Sequence, residues 1–136
     1  MRVLGIDPGR KRVGLATGDE LFKIATGYRA ILRKSDPQLI SEIQKIISEE
    51  EIELIVMGLP KNMDGSEGGS AKKSRFLADA LKKKTEIDVV FVDERLSTVE
   101  ATRQLHSAEG KTGKSKEVID ILAATLILQT YFDSLD

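Results

Sequence analysis

The opening stretch Arg2–Gly9 constrains the fold more than any other part of the sequence. Its largely apolar residues 3–6 lead to the turn Pro8-Gly9, a pattern typical of a strand buried on both faces. Asp7 stands at the end of this run, where a carboxylate is costly unless a hydrogen bond, water or a metal ion compensates its charge. Asp7 is therefore either a turn residue that accepts hydrogen bonds from the following amides, or a functional acid.

Length and composition narrow the class of protein. A chain of 136 residues predicts one domain, residues 1–136. The absence of cysteine excludes disulfides and thiolate metal sites, and with no signal-peptide run and no apolar stretch long enough to span a bilayer we expect a cytoplasmic protein without a membrane partner. The net charge of −1 means that any binding of nucleic acid must depend on local basic patches.

The apolar pattern predicts five strands. Residues 2–18 are predicted to form a hairpin, and residues 24–32 a third antiparallel strand. Residues 53–58 and 89–92 are two further buried strands, and a predicted helix precedes each of them. This alternation implies right-handed parallel crossovers. The predicted fold is therefore α/β, with a mixed five-stranded sheet (three antiparallel strands, then two parallel) and helices on both faces.

Helical spacing and capping residues predict the helices. Ser35-Asp36-Pro37 is a helix start, and Ser97 with Glu100 forms a capping box. The predicted helices cover about residues 36–51, a segment after the glycine-rich loop that runs to residue 84, residues 97–105 and residues 116–132. The last is apolar nearly all round and should be largely buried. In the second helix, the side chains expected to face inward are those of Phe76, Leu77, Ala80 and Leu81.

Carboxylates recur where predicted strands end, and another lies near the start of the last helix. Asp7 follows the first strand and Asp93-Glu94 the fifth, at the strand ends where α/β sheets form their sites. Because both faces of the fifth strand are covered, strand alternation leaves the choice between Asp93 and Glu94 open. Asp120 shares a helical face with Ala123-Ala124, whose small side chains would let the helix approach the sheet closely. Asp120 is therefore predicted to point toward the sheet.

Acids gathered at one edge indicate a metal site. Their mutual repulsion is relieved by divalent cations with oxygen ligands, and two such ions about 3.5–4 Å apart can activate water for phosphodiester cleavage. The alternatives are unrelated surface acids and, for Asp120, stabilisation of a helix N-terminus. If repulsion dominates, Asp120→Asn should leave the metal-free melting temperature equal or higher.

Basic residues stand where a phosphate backbone would need them. One group follows the first acid and a second precedes the last, and both are candidate nucleic-acid contacts: Arg10, Lys11, Arg12, Lys111, Lys114 and Lys116. For any single lysine, solvated loop charge is the alternative. For Asp64, a turn in the glycine-rich loop 61–70 is favoured over a role as a fourth acid. Lys72 and Lys73 are either phosphate contacts or helix surface, and His106 lies at the surface or is partly packed and is not taken as a base.

Four sequence blocks together resemble the YqgF family, also called RuvX, of bacterial Holliday junction resolvases and pre-16S rRNA nucleases. The blocks fall in order along almost the whole chain: Gly5-Ile6-Asp7-Pro8-Gly9 with Lys11-Arg12-Val13-Gly14, Gly58-Leu59-Pro60 with Met63-Asp64-Gly65, Asp93-Glu94-Arg95-Leu96-Ser97-Thr98, and Asp120 with Ala123-Ala124 and Ile127-Leu128-Gln129. The resemblance implies a ribonuclease H-like fold and a metal-dependent nuclease. It further implies that magnesium or manganese is held by the catalytic acids Asp7, Glu94 and Asp120, with Asp93 in reserve.

The implied substrate is structured nucleic acid, and the implied role is processing of pre-16S rRNA ends during ribosome biogenesis. A Holliday junction resolvase and a non-catalytic nucleic-acid-binding module are the alternatives. An actin-like ATPase is disfavoured because it needs a second lobe to close over ATP. The sequence displays no base-reading element or aromatic platform that separates RNA from DNA, and it leaves open a monomer or a weak dimer.

Overall fold

A five-stranded sheet forms the centre of the structure. The computed structural model describes residues 1–94 and 113–135. Within these ranges the strands are β1 (Arg2–Pro8), β2 (Arg12–Asp19), β3 (Thr26–Leu32), β4 (Leu54–Leu59) and β5 (Val89–Asp93). Their order across the sheet is β3-β2-β1-β4-β5, with β1–β2 and β2–β3 antiparallel and β1–β4 and β4–β5 parallel. The predicted mixed sheet is confirmed.

The structure describes three helices, with a capping box at the start of the first and a left-handed residue at the end of the second. Their bounds are α1 (Asp36–Glu49), α2 (Gly69–Thr85) and α3 (Gly113–Asp133). At the start of α1 the Gln38 N–H donates to Ser35 Oγ at 3.2 Å, and Gln38 Oε1 accepts from the Ser35 N–H. This reciprocal capping box satisfies donors that the helix itself cannot. Glu86 ends α2 in the left-handed conformation, with φ of 62°.

Two separate apolar cores cover the two faces of the sheet. One core packs α1 and α2 on one face and includes Leu4, Ile6 and Met57. The other packs α3 on the opposite face and includes Val3 and Val56. Neighbouring residues of β1 and β4 therefore belong to different cores, as strand alternation requires. The prediction of helices on both faces is confirmed.

The inward face of α2 differs from the prediction. Phe76 is 62% exposed, and Ala80 is partly exposed. The residues of α2 that are buried are Ala71, Ser74, Leu77, Ala78 and Leu81. The packed stripe of α2 therefore includes the small residues Ala71, Ser74 and Ala78, which a search for large apolar side chains does not select. The assignment of Leu77 and Leu81 to the core is confirmed.

Helix α3 begins at Gly113, before the predicted start at Lys116, so that Asp120 lies two turns inside the helix. Burial of α3 is also less complete than predicted, since Val118 is 62% exposed and Leu122 40% exposed. The predicted helix over 97–105, His106 and Lys111 lie outside the described residues. No helix within the described ranges has the length and apolar character needed to cross a membrane.

Strand glycines allow α3 to lie close to the sheet. A Cβ added to Gly14 of β2 would lie 2.0 Å from the Asp120 carbonyl oxygen, and one added to Gly5 of β1 would lie 2.8 Å from Leu128 Cβ. On the helix side, Ala124 is fully buried, and its carbonyl oxygen would lie 3.2 Å from the same Gly5 Cβ. The predicted close approach of the helix beside its alanines is confirmed.

Replacing Gly14 by alanine should lower the free energy of unfolding by about 1–3 kcal/mol, because α3 must shift to admit the methyl group. The free energy of unfolding is measured by urea denaturation. Gly69→Ala is the matched control, because nothing lies within 4 Å of its added Cβ and alanine favours the helix. Equal stability of the two variants would contradict the tight packing.

Candidate active site

Asp7 is the last buried residue of β1, with only 2% of its surface exposed. Val3 belongs to the α3 core whereas Leu4 and Ile6 belong to the other, so alternation directs Asp7 toward the α3 face. The turn that follows is closed by the Gly9 N–H, which donates to the Asp7 backbone carbonyl at 2.9 Å. A buried carboxylate thus stands at the carboxyl end of a central strand.

Glu94 directly follows β5 and is 3% exposed. A Cβ added to Gly58 of β4 would lie 2.9 Å from Glu94 Oε1 and 2.6 Å from Ile127 Cδ1 of α3. The Glu94 carboxylate therefore lies on the α3 face, in space that Gly58 leaves open. Alternation along β5 places Asp93 on the opposite face, because Val92 belongs to the α3 core. The geometry therefore distinguishes Glu94, on the α3 face, from Asp93, on the opposite face, which strand alternation in the sequence did not do.

Asp120 is held by an arginine. Arg12, the first residue of β2, directs its Nε to Asp120 Oδ2 at 2.9 Å, and the two side chains are 17% and 19% exposed. The sequence placed Arg12 among the phosphate contacts, whereas this geometry also makes it the counter-charge of a candidate metal ligand. Because Asp120 lies two turns inside α3, stabilisation of the helix N-terminus does not explain it.

Strand pairing brings the three acidic segments to the same end of the sheet, where β1 and β5 terminate. This end is called the acidic edge below. Asp7 is paired with Gly14 in the β1–β2 register, and the backbone of Asp120 packs against that same glycine. On the other side of β1, Ile6 is paired with Met57. Asp7 and Gly58 are therefore the next residues along their two parallel strands, and Gly58 adjoins Glu94.

The donor set has the chemistry of a site for magnesium or manganese. Carboxylate oxygens are the ligands these ions prefer, and the burial of Asp7 and Glu94 is costly unless their charge is compensated. Among residues 1–94 and 113–135, however, no three histidine or acidic side chains are gathered as a metal-binding group. The residues therefore fit a divalent cation by the chemistry of their side chains, and in this structure the Asp120 carboxylate is paired with Arg12.

The candidate phosphate contacts occupy two sites. Arg10 and Lys11 are exposed in the turn between β1 and β2, next to Asp7. Lys114 lies in the first turn of α3, and Lys116 is exposed further along it. The exposed cations Arg10, Lys11 and Lys116 therefore belong to the turn that follows Asp7 and to the helix that carries Asp120.

The glycine-rich loop between β4 and α2 is held by its own polar side chains. Asp64 Oδ1 accepts from the Ser66 backbone N–H at 2.9 Å, which supports the turn role predicted for Asp64. Glu67 accepts from Arg75 Nη2 at 2.7 Å, and this hydrogen bond lowers the pKa of Glu67. Arg75 also lies 4.8 Å from the centre of the Phe91 ring. The loop is thereby tied to α2 and β5.

Sequence reasoning missed two contributors to this site. Gly58 provides space for Glu94, and Arg12 provides the counter-charge of Asp120. A signal for the first was present, because a glycine inside a buried strand marks a close approach of another group. The Arg12–Asp120 contact joins residues far apart in the chain, and local sequence carries no signal for it.

The strand order and the two-sided helix packing define a ribonuclease H-like fold. Among solved structures, the chain is similar to Thermus thermophilus RuvC in complex with a Holliday junction substrate, with a TM-score of 0.58, 14% identity, and coverage of 97% of this chain and 93% of that one. It is also similar to the fowlpox virus Holliday junction resolvase, with a TM-score of 0.56, 12% identity, and coverage of 99% and 100%.

The family follows from sequence similarity over nearly the whole chain. The profile of the RuvX family, described as Holliday junction resolvase, matches residues 1–134, and the chain belongs to this family. Two relatives carry the name "Putative pre-16S rRNA nuclease". The protein of Halothermothrix orenii is 44% identical over 98% of this chain and 95% of its own length, and that of Clostridium botulinum strain Hall is 43% identical over 99% and 98%. The resemblance to the family is confirmed.

The Arg12–Asp120 pair reverses the expected effect of Asp120→Asn on stability. Because the substitution leaves the Arg12 guanidinium without its carboxylate, the metal-free protein should lose stability. A double-mutant cycle with Arg12→Gln and Asp120→Asn should give a coupling free energy of about 1–2 kcal/mol, measured by urea denaturation.

The exposed pair Arg29–Glu42 is the matched control for this cycle, since its side chains are 48% and 39% exposed. Its coupling should fall below about 0.5 kcal/mol because solvent screens it. Equal coupling for the two pairs would show that Arg12 does not stabilise Asp120.

Proposed function

We propose that this chain is a cytoplasmic nuclease of one domain that hydrolyses phosphodiester bonds in structured nucleic acid. We infer that its substrate is the 5′ end of pre-16S rRNA, processed during ribosome biogenesis. The observation that carries the proposal is the burial of two carboxylates, Asp7 and Glu94, on one face at the carboxyl ends of β1 and β5. The names of the relatives at 43–44% identity support the choice of substrate.

The acids would hold the metal and the cations would hold the substrate. Asp7, Glu94 and Asp120 would bind magnesium or manganese, which activates water and stabilises the leaving oxygen when bound. Arg12 keeps the Asp120 carboxylate directed at the edge of the sheet. Arg10 and Lys11 on one side, with Lys114 and Lys116 on the other, would contact phosphates and position the backbone. Lys111 is assigned to the same role.

The assay compares an RNA that carries the 5′ precursor end of 16S rRNA with a four-way DNA junction, each with magnesium, with manganese and with chelator. We expect metal-dependent cleavage of the RNA and none in chelator. Preferential cleavage of the junction would support a resolvase, the second candidate, which the family description favours. Cleavage of neither substrate would leave a nucleic-acid-binding module as the better description.

Asp7→Asn and Glu94→Gln should each reduce cleavage by at least about 100-fold, because several kcal/mol of charge stabilisation is lost and each 1.36 kcal/mol is tenfold in rate. The rate is measured in single turnover. Asp93→Asn is the matched control, because it removes the same charge from the neighbouring residue on the opposite face of β5. Full activity of Glu94→Gln with loss in Asp93→Asn would transfer the role to Asp93.

Replacing Lys111, Lys114 and Lys116 together by alanine should weaken binding without sequence preference. The slope of log affinity against log salt should fall by up to about three counterions, roughly 0.7–0.9 each. The control replaces Lys82, Lys83 and Lys84 in the last turn of α2, which removes the same charge. An equal change in both variants would show that the first group has no special contact with the substrate.

A further inference from the structure

A cleft opens on the face of the sheet opposite to α3. Its volume is about 710 Å³, and it is lined by the end of β1, the turn after β1, the residue that follows β3, the start of α1 and the first two turns of α2. The lining residues are Pro8, Arg10, Arg33, Asp36, Gly69, Ser70, Lys73 and Phe76. The proposed catalytic acids are not among them.

The cleft carries an excess of positive charge. Arg33 donates from Nη1 to the Gly9 carbonyl at 3.1 Å and from Nη2 to Asp36 Oδ1 at 3.3 Å, so its guanidinium is fixed at the wall. Asp36 is the one carboxylate among the lining residues. Within the described part of the chain, the ion pairs leave Arg10 and Lys73 without a carboxylate. The cleft therefore suits an anion.

Two further features indicate a nucleotide. The N-terminus of α2 lines the cleft with Gly69 and Ser70, and its cap residue is Gly68, which has no side chain to cap the first turn. The backbone N–H groups there remain available to phosphate oxygens. Phe76, whose exposure the apolar pattern did not predict, lies in the same wall with 62% of its surface exposed. An exposed aromatic ring beside cations is the arrangement on which unpaired bases stack.

The cleft and the acids meet at the end of β1. Asp7 is directed to the α3 face, and alternation directs the next residue, Pro8, into the cleft. Arg10 follows in the same turn. A single strand that crosses this edge would therefore meet the carboxylates on one face and the cations on the other.

We propose that this cleft is a subsite for single-stranded nucleic acid, in which Arg10, Arg33 and Lys73 hold a phosphate and Phe76 stacks on a base. The subsite deepens the proposed nuclease function and rests on it. It binds the unpaired segment that adjoins the cleavage point of a structured substrate. The aromatic side chain that stacks on the base thus comes from α2, and the cations come from α2, the β1–β2 turn and the residue after β3.

Binding is measured by fluorescence anisotropy with a labelled single-stranded RNA, in chelator so that no cleavage occurs. Lys73→Ala should lower the slope of log affinity against log salt by about 0.7. Phe76→Ala should weaken binding at least about fivefold with the slope unchanged. With an abasic strand, Phe76→Ala should have no further effect while Lys73→Ala keeps its effect.

Lys84→Ala at the other end of α2 and Phe22→Ala are the matched controls, since Lys84 is exposed and Phe22 is 71% exposed, and both lie outside the cleft. If Lys73→Ala and Phe76→Ala match these controls, the subsite is overturned, even when cleavage depends on Asp7. If the two variants behave as expected while magnesium supports no cleavage, the subsite stands and the nuclease proposal falls.

Discussion

The close approach of helix α3 to the sheet is the constraint on which the rest of the structure depends. Gly5 and Gly14 bring the backbones of β1 and β2 almost into contact with the helix, and Ala124 does the same from the helix side. A side chain at Gly14 would displace the peptide of Asp120 itself. The packing that stabilises the core therefore also fixes the position of a candidate metal ligand, so core stability and site geometry cannot change independently.

Two carboxylates are buried at the acidic edge, at positions where stability alone would favour apolar side chains. Asp7 and Glu94 are buried at 2% and 3% exposure in a sheet whose neighbouring positions are apolar. Natural proteins accept such costs at functional sites. Asp120 is less buried, and the Arg12 guanidinium compensates its charge. A cation bound at this edge would compete with Arg12 for Asp120, so metal binding and the ion pair are coupled through one carboxylate.

Much of the fold was accessible from the sequence because it is locally encoded. The hairpin, the Ser35 cap and the buried strand β4 follow from alternation and capping, and the structure confirms them. The prediction that β5 is buried is wrong, because β5 is the outer strand of the sheet and Val90 is 36% exposed. Phe76 was misassigned because apolar spacing records which residues can be buried, whereas small residues decided which face of α2 packs. The choice between Asp93 and Glu94, and the partner of Asp120, depended on contacts between distant segments. Sequence periodicity does not contain that information.

The distribution of charge explains how a chain of net charge −1 can bind a polyanion. Cations and acids are segregated at the end of β1, with Asp7 facing α3 and Arg10 and Lys73 lining the opposite cleft. The charged side chains that line the cleft are three cations, Arg10, Arg33 and Lys73, and one carboxylate, Asp36, so the cleft itself is positive. The cleft can therefore attract a phosphate although the acids on the other face would repel it. Segregation across one strand would thus let the proposed metal site and the proposed substrate site, which need opposite charges, lie a few residues apart.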